Sequence, residues 1–256
     1  MRIIILAAGR GERLMPLTKN TPKPLIDMGN GNTLIEEQIQ SIVAAGAIKE
    51  IILVVGYLAE QVEAKIQAYA HGNCIIRTIF NPLWQVSNNL ISLWLARHEF
   101  ENEDVMITNG DNIFAPEVFS DFALHGQGIW LAVSPKDDFD EDDMKVSIDN
   151  GLITAVSKRL PSENASAESP GLAMVRGDRS RNFFIDNLNA AVRDPARINS
   201  FWLETFNCLW QKGIPINPWL IDLRGKWQEV DFHPDVHLAR SLIAGKIKDL
   251  NERNYK

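Results

Sequence analysis

The sequence predicts an α/β protein: a doubly wound, mostly parallel (Rossmann-like) sheet with an elaborated C-terminal α+β half. Three observations carry that prediction. Arg2-Ile3-Ile4-Ile5-Leu6-Ala7 is a continuous apolar run that turns into glycine at Gly9, the pattern of a strand buried on both faces. Similar runs recur at 50–55 and 75–80, separated by stretches of helical periodicity. Strands that alternate with helices of about a dozen residues form parallel sheets, because each parallel crossover needs a helix-sized connection.

The elements follow in order. Apolar spacing over 34–43, closed by Gly46, predicts a helix. A second strand at 50–55 leads to a helix over 58–69, and a third at 75–80 leads to a helix over 87–98. A fourth strand follows at 105–108. The second half is less regular. Short strands are expected at 130–134, 145–148 and 152–156, the last two joined through the hairpin signal Asp149-Asn150-Gly151. Residues 158–170, rich in Ser, Pro and Glu, read as a loop. Helical patterns return at 181–192, 200–212 and 235–250. There is no internal repeat or convincing linker. The expectation is therefore one domain over 1–256, made of a regular half at about 1–114 and an elaborated half at about 115–256.

Composition narrows the classes. At 45% hydrophobic and 23% charged over 256 residues, the chain is an ordinary globular one, not a disordered, collagenous or disulfide-stapled one. The net charge of −7 and the lack of any Lys/Arg block argue against nucleic acid as a partner. The acidic excess is partly local, since 136–143 holds six acids in eight residues, a pattern that reads first as a solvated loop. Cys74 and Cys208 match no metal spacing. No apolar run is long enough for membrane insertion, and the N-terminal apolar stretch is too short for a signal-peptide core, so the expected location is cytoplasmic.

The chemistry concentrates after the first strand, in Leu6-Ala7-Ala8-Gly9-Arg10-Gly11-Glu12-Arg13-Leu14. A glycine-rich turn there lets backbone N–H groups cradle phosphates. The dinucleotide fingerprint needs a small residue where this chain has Leu14, and the Gly-Lys-Ser/Thr phosphate loop is absent. Arg13 and Lys23 supply a forked and a compact cation within reach of the loop. Pro16, Pro22 and Pro24 keep the intervening segment rigid.

Together, Leu-Ala-Ala-Gly-x-Gly-x-Arg, Pro-x-Thr and Pro-Lys-Pro resemble the signature of the nucleotidyltransferases that activate sugar phosphates and alcohol phosphates. The resemblance implies that Leu6, Ala7, Ala8, Gly9 and Gly11 bind a nucleoside triphosphate. It also implies that Arg13 engages its pyrophosphate and that Lys23 neutralises the transferred phosphoryl group. Thr108-Asn109-Gly110-Asp111-Asn112 is similar to the family's metal-binding segment, which makes Asp111 a catalytic residue and a Mg²⁺ ligand. The late segment Trp227-Gln228-Glu229-Val230-Asp231 implies Asp231 as the partner carboxylate. Asp235 fits an acidic residue at a helix start, and His233 a loop residue.

Within that family the chain is similar to the phosphocholine cytidylyltransferase-like branch. Ser87-Asn88-Asn89-Leu90-Ile91-Ser92-Leu93 resembles its Asn-Asn-x-x-Ser-Leu segment and implies Ser87, Asn88 and Asn89 near the base or ribose, with helix capping as the alternative role. Asp142-Asp143-Met144-Lys145-Val146, Gly151-Leu152-Ile153 and Val156-Ser157-Lys158 resemble a pattern in cytidylyltransferases for phosphocholine-like and inositol phosphates, and imply Lys145 and Lys158 at the acceptor phosphate, although either lysine also fits a solvated strand end. Ser200-Phe201-Trp202-Leu203-Glu204 implies Trp202 and Glu204 beside a quaternary ammonium or amine. Trp202 fits a core-facing helix position equally well.

The expected reaction is Mg²⁺-dependent transfer of CMP from CTP to a small phosphate- or phosphonate-bearing acceptor such as phosphocholine, with release of pyrophosphate. The alternatives are a sugar-1-phosphate nucleotidylyltransferase using UTP, dTTP or GTP, and a catalytically silent nucleotide-binding homologue. A homodimer is an assembly the sequence leaves open.

Overall fold

The computed structural model describes residues 1–67 and 74–244. The first half builds β1 (Arg2–Ala7), α1 (Leu34–Ala44), β2 (Glu50–Val55), α2 (Ala59–Ile66), β3 (Ile75–Phe80), α3 (Asn89–Leu95) and β4 (Val105–Asn109). Its four strands are parallel, with β1 between β2 and β4. The chain thus steps from β1 to one side and returns on the other. That reversal of strand order opens a crevice at the carboxyl ends of β1 and β4.

The second half contributes β5 (Asn112–Phe114), α4 (Pro116–Phe122), β6 (Gly128–Val133), β7 (Lys145–Asp149), β8 (Leu152–Ser157), β9 (Ala167–Glu168), β10 (Leu172–Arg176), α5 (Asp178–Ala191), α6 (Thr205–Gln211), β11 (Ile216–Leu220), β12 (Trp227–Glu229) and α7 (His233–Ile243). It extends the same sheet to seven strands in the order β11-β6-β10-β4-β1-β2-β3. Only β10 runs antiparallel to its neighbours, so the sheet is mostly parallel as the sequence predicts. A three-stranded sheet, β8-β7-β9, and a two-stranded ribbon, β12-β5, rise above it.

β1 shows how the sequence specifies this architecture. Its side chains alternate between faces, and both faces are apolar. Ile4 and Leu6 join one core with Leu90, Phe184, Trp202 and Phe206, while Ile3 and Ile5 join the other with Ile35, Ile39, Phe119 and Phe122. Ile3, Ile4 and Ile5 are fully buried, and each such side chain contributes roughly 1.5–3 kcal/mol relative to exposure. A third, smaller cluster packs Leu14 and Ile26 against Ile113, Val230 and Val236. It fixes the end of the glycine loop to the β12-β5 ribbon and to α7.

Several element boundaries differ from the sequence expectation for local reasons. The helix expected over 87–98 begins at Asn89, because the Asn88 side chain accepts from the Asn89 N–H and caps it, and a 3-10 turn at Arg97–Phe100 replaces its last turn. The helix expected over 200–212 is a 3-10 turn at Trp202–Glu204 followed by α6. The loop expected over 158–170 contains β9. Strands β10 and β11 were not legible: β11 carries Pro218, which the sheet tolerates because this strand is at its edge. The expected helix ends at 68–69 and 245–250 lie outside the described residues. Among the described residues, no helix is long and apolar enough to cross a membrane.

Candidate active site

The glycine loop leaves β1 at the crevice. Gly11 has φ +69°, and a Cβ there would come within 3.0 Å of the Lys23 Cβ, so both conformation and space call for glycine. The Thr18 hydroxyl donates to the Gly11 carbonyl at 2.8 Å and ties the loop to the following Pro-rich segment. Opposite it, Gly110 lets the end of β4 lie directly on β1. A Cβ there would sit 2.7 Å from the Ala7 Cβ, and the Gly110 N–H donates to the Leu6 carbonyl at 2.8 Å. Asp111 is thereby presented beside the loop.

The β12-β5 ribbon brings the other acids. β12 pairs antiparallel with β5, Glu229 opposite Asn112, and the Val230 N–H donates to the Asp111 carbonyl at 2.9 Å. Glu229 and Asp231 are two residues apart on extended chain, so they point the same way. Asp111, Glu229 and Asp231 each offer an oxygen, and these oxygens lie within 4.8 Å of one another.

Lys23 reaches into this group. Its ammonium donates to Asp111 Oδ2 at 2.8 Å and to Asp231 Oδ1 at 2.6 Å. Burial opposes the lysine's charge, but Asp111 and Asp231 outweigh it and hold the ammonium above its ordinary value. Burial likewise pushes the Asp231 carboxyl up, and Lys23, Arg13 and Lys158 overcome it and hold the group below the ordinary range. At Glu229 desolvation acts together with the charges of Asp111 and Asp231, and the carboxyl is pushed up to about 8.

Crowded carboxylates with one carboxylate unable to ionise easily make a cation-seeking arrangement. Asp111 Oδ1 is buried and lacks a hydrogen-bond partner. This all-oxygen donor set suits a hard divalent ion such as Mg²⁺, so the residues present fit such a metal.

These groups open into one cavity of about 530 Å³. It is lined by Leu6, Ala7, Ala8, Gly9, Gly11, Arg13, Lys23, Ser87, Asn88, Asn89, Asp111, Lys158, Trp202 and Asp231. Arg13 donates to Asp231 Oδ2 at 2.9 Å and to Asp142 Oδ1 at 3.2 Å. The amide-rich wall is largely occupied with structural work. Asn88 caps α3, the Ser87 hydroxyl donates to the Leu83 carbonyl at 2.7 Å, and Asn89 Oδ1 accepts from the Trp202 backbone N–H at 2.9 Å.

Two acceptor-side expectations need correction, and for Trp202 the structure favours the core alternative. Lys145 does not line the cavity: it is 4% exposed, and its ammonium donates to the carbonyls of Asp140 at 2.5 Å and Lys158 at 3.0 Å, fastening a loop to the end of β8. Glu204 does not line it either, since it precedes α6 as that helix's N-cap. Trp202 borders the cavity but is fully buried, edge-on to Phe206, with its indole N–H donating to Asn109 Oδ1 at 2.8 Å. It is a core residue, with no open face to offer a cation.

Other lining residues were given no role from the sequence: Glu229, Asp142, Glu168 and Asn81. A signal existed for Glu229, because strand alternation in Glu229-Val230-Asp231 puts both acids on one face. Glu168 carried no such signal, as β9 is only two residues long. A half-buried aromatic lies beside Lys158: the Phe201 ring centre is 5.2 Å from the lysine ammonium.

A crevice of this kind, in which Lys23 and Arg13 meet the carboxylates of Asp111 and Asp231 beside a glycine loop, suits the handling of nucleotide phosphates. Residues 2–138 match the nucleotidyl transferase family, and the chain belongs to that family of enzymes. Its likeness falls in the phosphocholine cytidylyltransferase-like branch. It is 40% identical over 119 residues to the choline-phosphate cytidylyltransferase of Streptococcus pneumoniae, covering 46% of this chain and 48% of that protein. It is 38% identical over 114 residues to the 2-aminoethylphosphonate cytidylyltransferase of Lancefieldella rimae, covering 44% of each. The chain thus spans about half the length of these curated relatives or less. The fold extends further: the solved CTP:phosphocholine cytidylyltransferase of Streptococcus pneumoniae superposes with a TM-score of 0.73 at 23% identity, over 94% of this chain and 98% of that one.

Proposed function

We propose that the protein transfers CMP from CTP to a small phosphorylated alcohol or phosphonate such as phosphocholine, with Mg²⁺ as cofactor, releasing pyrophosphate. The observation that carries this reading is the convergence of Asp111, Glu229 and Asp231 on the Lys23 ammonium beneath the glycine loop. Its cytidylyltransferase relatives support the choice of nucleotide.

An acceptor phosphate or phosphonate oxygen attacks the α-phosphorus of the triphosphate. One P–O bond forms to the acceptor, and the bond to the bridging oxygen of pyrophosphate breaks. The nucleophile is already an anion, so no side chain need take its proton, and positioning and charge neutralisation carry the rate. Asp111, Glu229 and Asp231 would hold Mg²⁺, which when bound supplies positive charge to the phosphate oxygens. Lys23 shares two of those carboxylates and is placed to balance charge on the transferred phosphoryl group. Arg13 and the loop amides hold the departing pyrophosphate. Lys158, beside Phe201, aligns the acceptor phosphate.

The test is pyrophosphate release with Mg²⁺ across CTP, UTP, dTTP and GTP, each against phosphocholine, 2-aminoethylphosphonate, inositol phosphate and glucose-1-phosphate. Turnover that requires CTP and an amine-bearing acceptor is the expected result. Turnover with a sugar phosphate alone would replace the acceptor assignment and keep the phosphate chemistry.

A further inference from the structure

The acidic stretch 136–143 is wired into a fixed shape. Asp140 Oδ1 accepts from the backbone N–H groups of Asp142 at 2.8 Å and Asp143 at 3.1 Å. Asp143 Oδ2 accepts in turn from the Asp140 N–H at 2.8 Å and from the Lys136 ammonium at 2.7 Å. Lys145 anchors the Asp140 carbonyl from below.

This scaffold carries Asp142 to the mouth of the cavity. There one oxygen, Oδ1, accepts from Arg13 Nη2 at 3.2 Å and from Lys158 Nζ at 3.3 Å. Arg13 comes from the glycine loop and Lys158 from the end of β8, so a single carboxylate oxygen joins the two halves of the site. Two cations drawn to one point repel each other unless an anion lies between them. A phosphate oxygen offers the same charge-assisted acceptor geometry that the carboxylate provides.

We propose that Asp142 is a tethered stand-in for substrate phosphate: it holds Arg13 and Lys158 together until an incoming polyphosphate displaces it. The inference rests on the nucleotidyl-transfer reading, which assigns those two cations to pyrophosphate and acceptor. Asp142 acts through them as a positioning residue. The hold is weak enough to yield. The Arg13 and Asp142 side chains are 47% and 49% exposed, and ion pairs in that setting contribute little net stability. Its function is to keep the cations aligned and to compete with small adventitious anions. The cost is affinity, because a phosphate that takes Arg13 or Lys158 must first break that cation's contact to Asp142.

The experiment is titration calorimetry of inorganic pyrophosphate, with Mg²⁺ and at low ionic strength, into wild type, Asp142→Asn and Asp142→Glu. Melting temperatures are recorded for all three. Removing the competing charge should tighten pyrophosphate binding about three- to five-fold, the size expected of an exposed pair. Asp142→Glu should return it toward wild type. A purely structural Asp142 would leave binding unchanged or weaken it, and either result in a folded Asp142→Asn protein overturns the proposal. If wild type itself fails to bind pyrophosphate, the nucleotidyl-transfer reading falls, and this inference with it. If wild type binds and Asp142→Asn binds no tighter, only this inference falls.

Discussion

Lys23 Nζ lies 2.6 Å from Asp231 Oδ1, joining residues 208 positions apart in the chain. The glycine loop and the β12-β5 ribbon are held in one geometry by this contact and by its twin to Asp111. Lys23 is 9% exposed, and removing one partner of a buried pair leaves the other charge uncompensated. Lys23→Ala should therefore lower kcat by about 10²–10³-fold and also lower the melting temperature. Adding Mg²⁺ should recover part of the stability and none of the turnover. Kinetics run beside thermal melts check both.

Metal binding is separable from catalysis. An ion bound by the native state alone raises the melting temperature with its concentration. Wild type should show that rise with Mg²⁺ and lose it in EDTA. Asp111→Ala and Asp231→Ala should abolish it, while Glu229→Gln should weaken the apparent affinity by roughly tenfold or more. A full Mg²⁺ response in Asp231→Ala would remove that residue from the ligand set.

The cavity wall contains a second pH-sensitive acid. Burial pushes Glu168 up from 4.5 to about 7; Lys136 opposes the shift and Asp143 adds to it. A carboxyl whose folded pKa is raised contributes stability that is complete below its unfolded value of 4.5 and is lost as pH rises through about 7. Wild type should thus lose a few degrees of melting temperature between pH 5 and 8 that Glu168→Gln does not lose. Asp143, held below its ordinary value against burial by Lys136 and the Asp140 N–H, acts in the opposite sense and only at lower pH. Parallel melting curves for the two proteins over pH 5–8 would contradict the assignment.

Trp202 distinguishes core from pocket. A fully buried aromatic cut to alanine costs about 3–5 kcal/mol, so Trp202→Ala should be broadly destabilised. Trp202→Phe should fold and give up only the bond to Asn109. An acceptor Michaelis constant unchanged in Trp202→Phe supports the core assignment. A large rise without loss of stability would return the indole to the acceptor site.

The fold was legible where apolar runs were long and sharply ended, as in β1 and β2, because burial on both faces leaves no polar alternation to confuse. It was hidden where strands were short or carried the wrong residues: β11 contains Pro218, and β10 slots antiparallel into the middle of a parallel sheet, an arrangement set by tertiary pairing alone. In the site, Arg13, Lys23, Asp111 and Asp231 were legible because each stands in a compact motif beside a glycine turn or strand end, and the structure brings their side chains together. Glu204 and Lys145 went astray because charge does not reveal direction. Lys145 donates to two backbone carbonyls, and Trp202 packs inward. The acidic run looked like a solvated loop until its own Asx contacts showed how it delivers Asp142.

Metal-dependent nucleotidyl transfer at the carboxylates around Lys23 is tested by pyrophosphate release from CTP and phosphocholine, with wild type and Asp111→Ala side by side, in Mg²⁺ and in EDTA. Release by wild type in Mg²⁺ only is the expected result. A folded Asp111→Ala protein turning over at the wild-type rate, or a wild-type rate indifferent to EDTA, would contradict it.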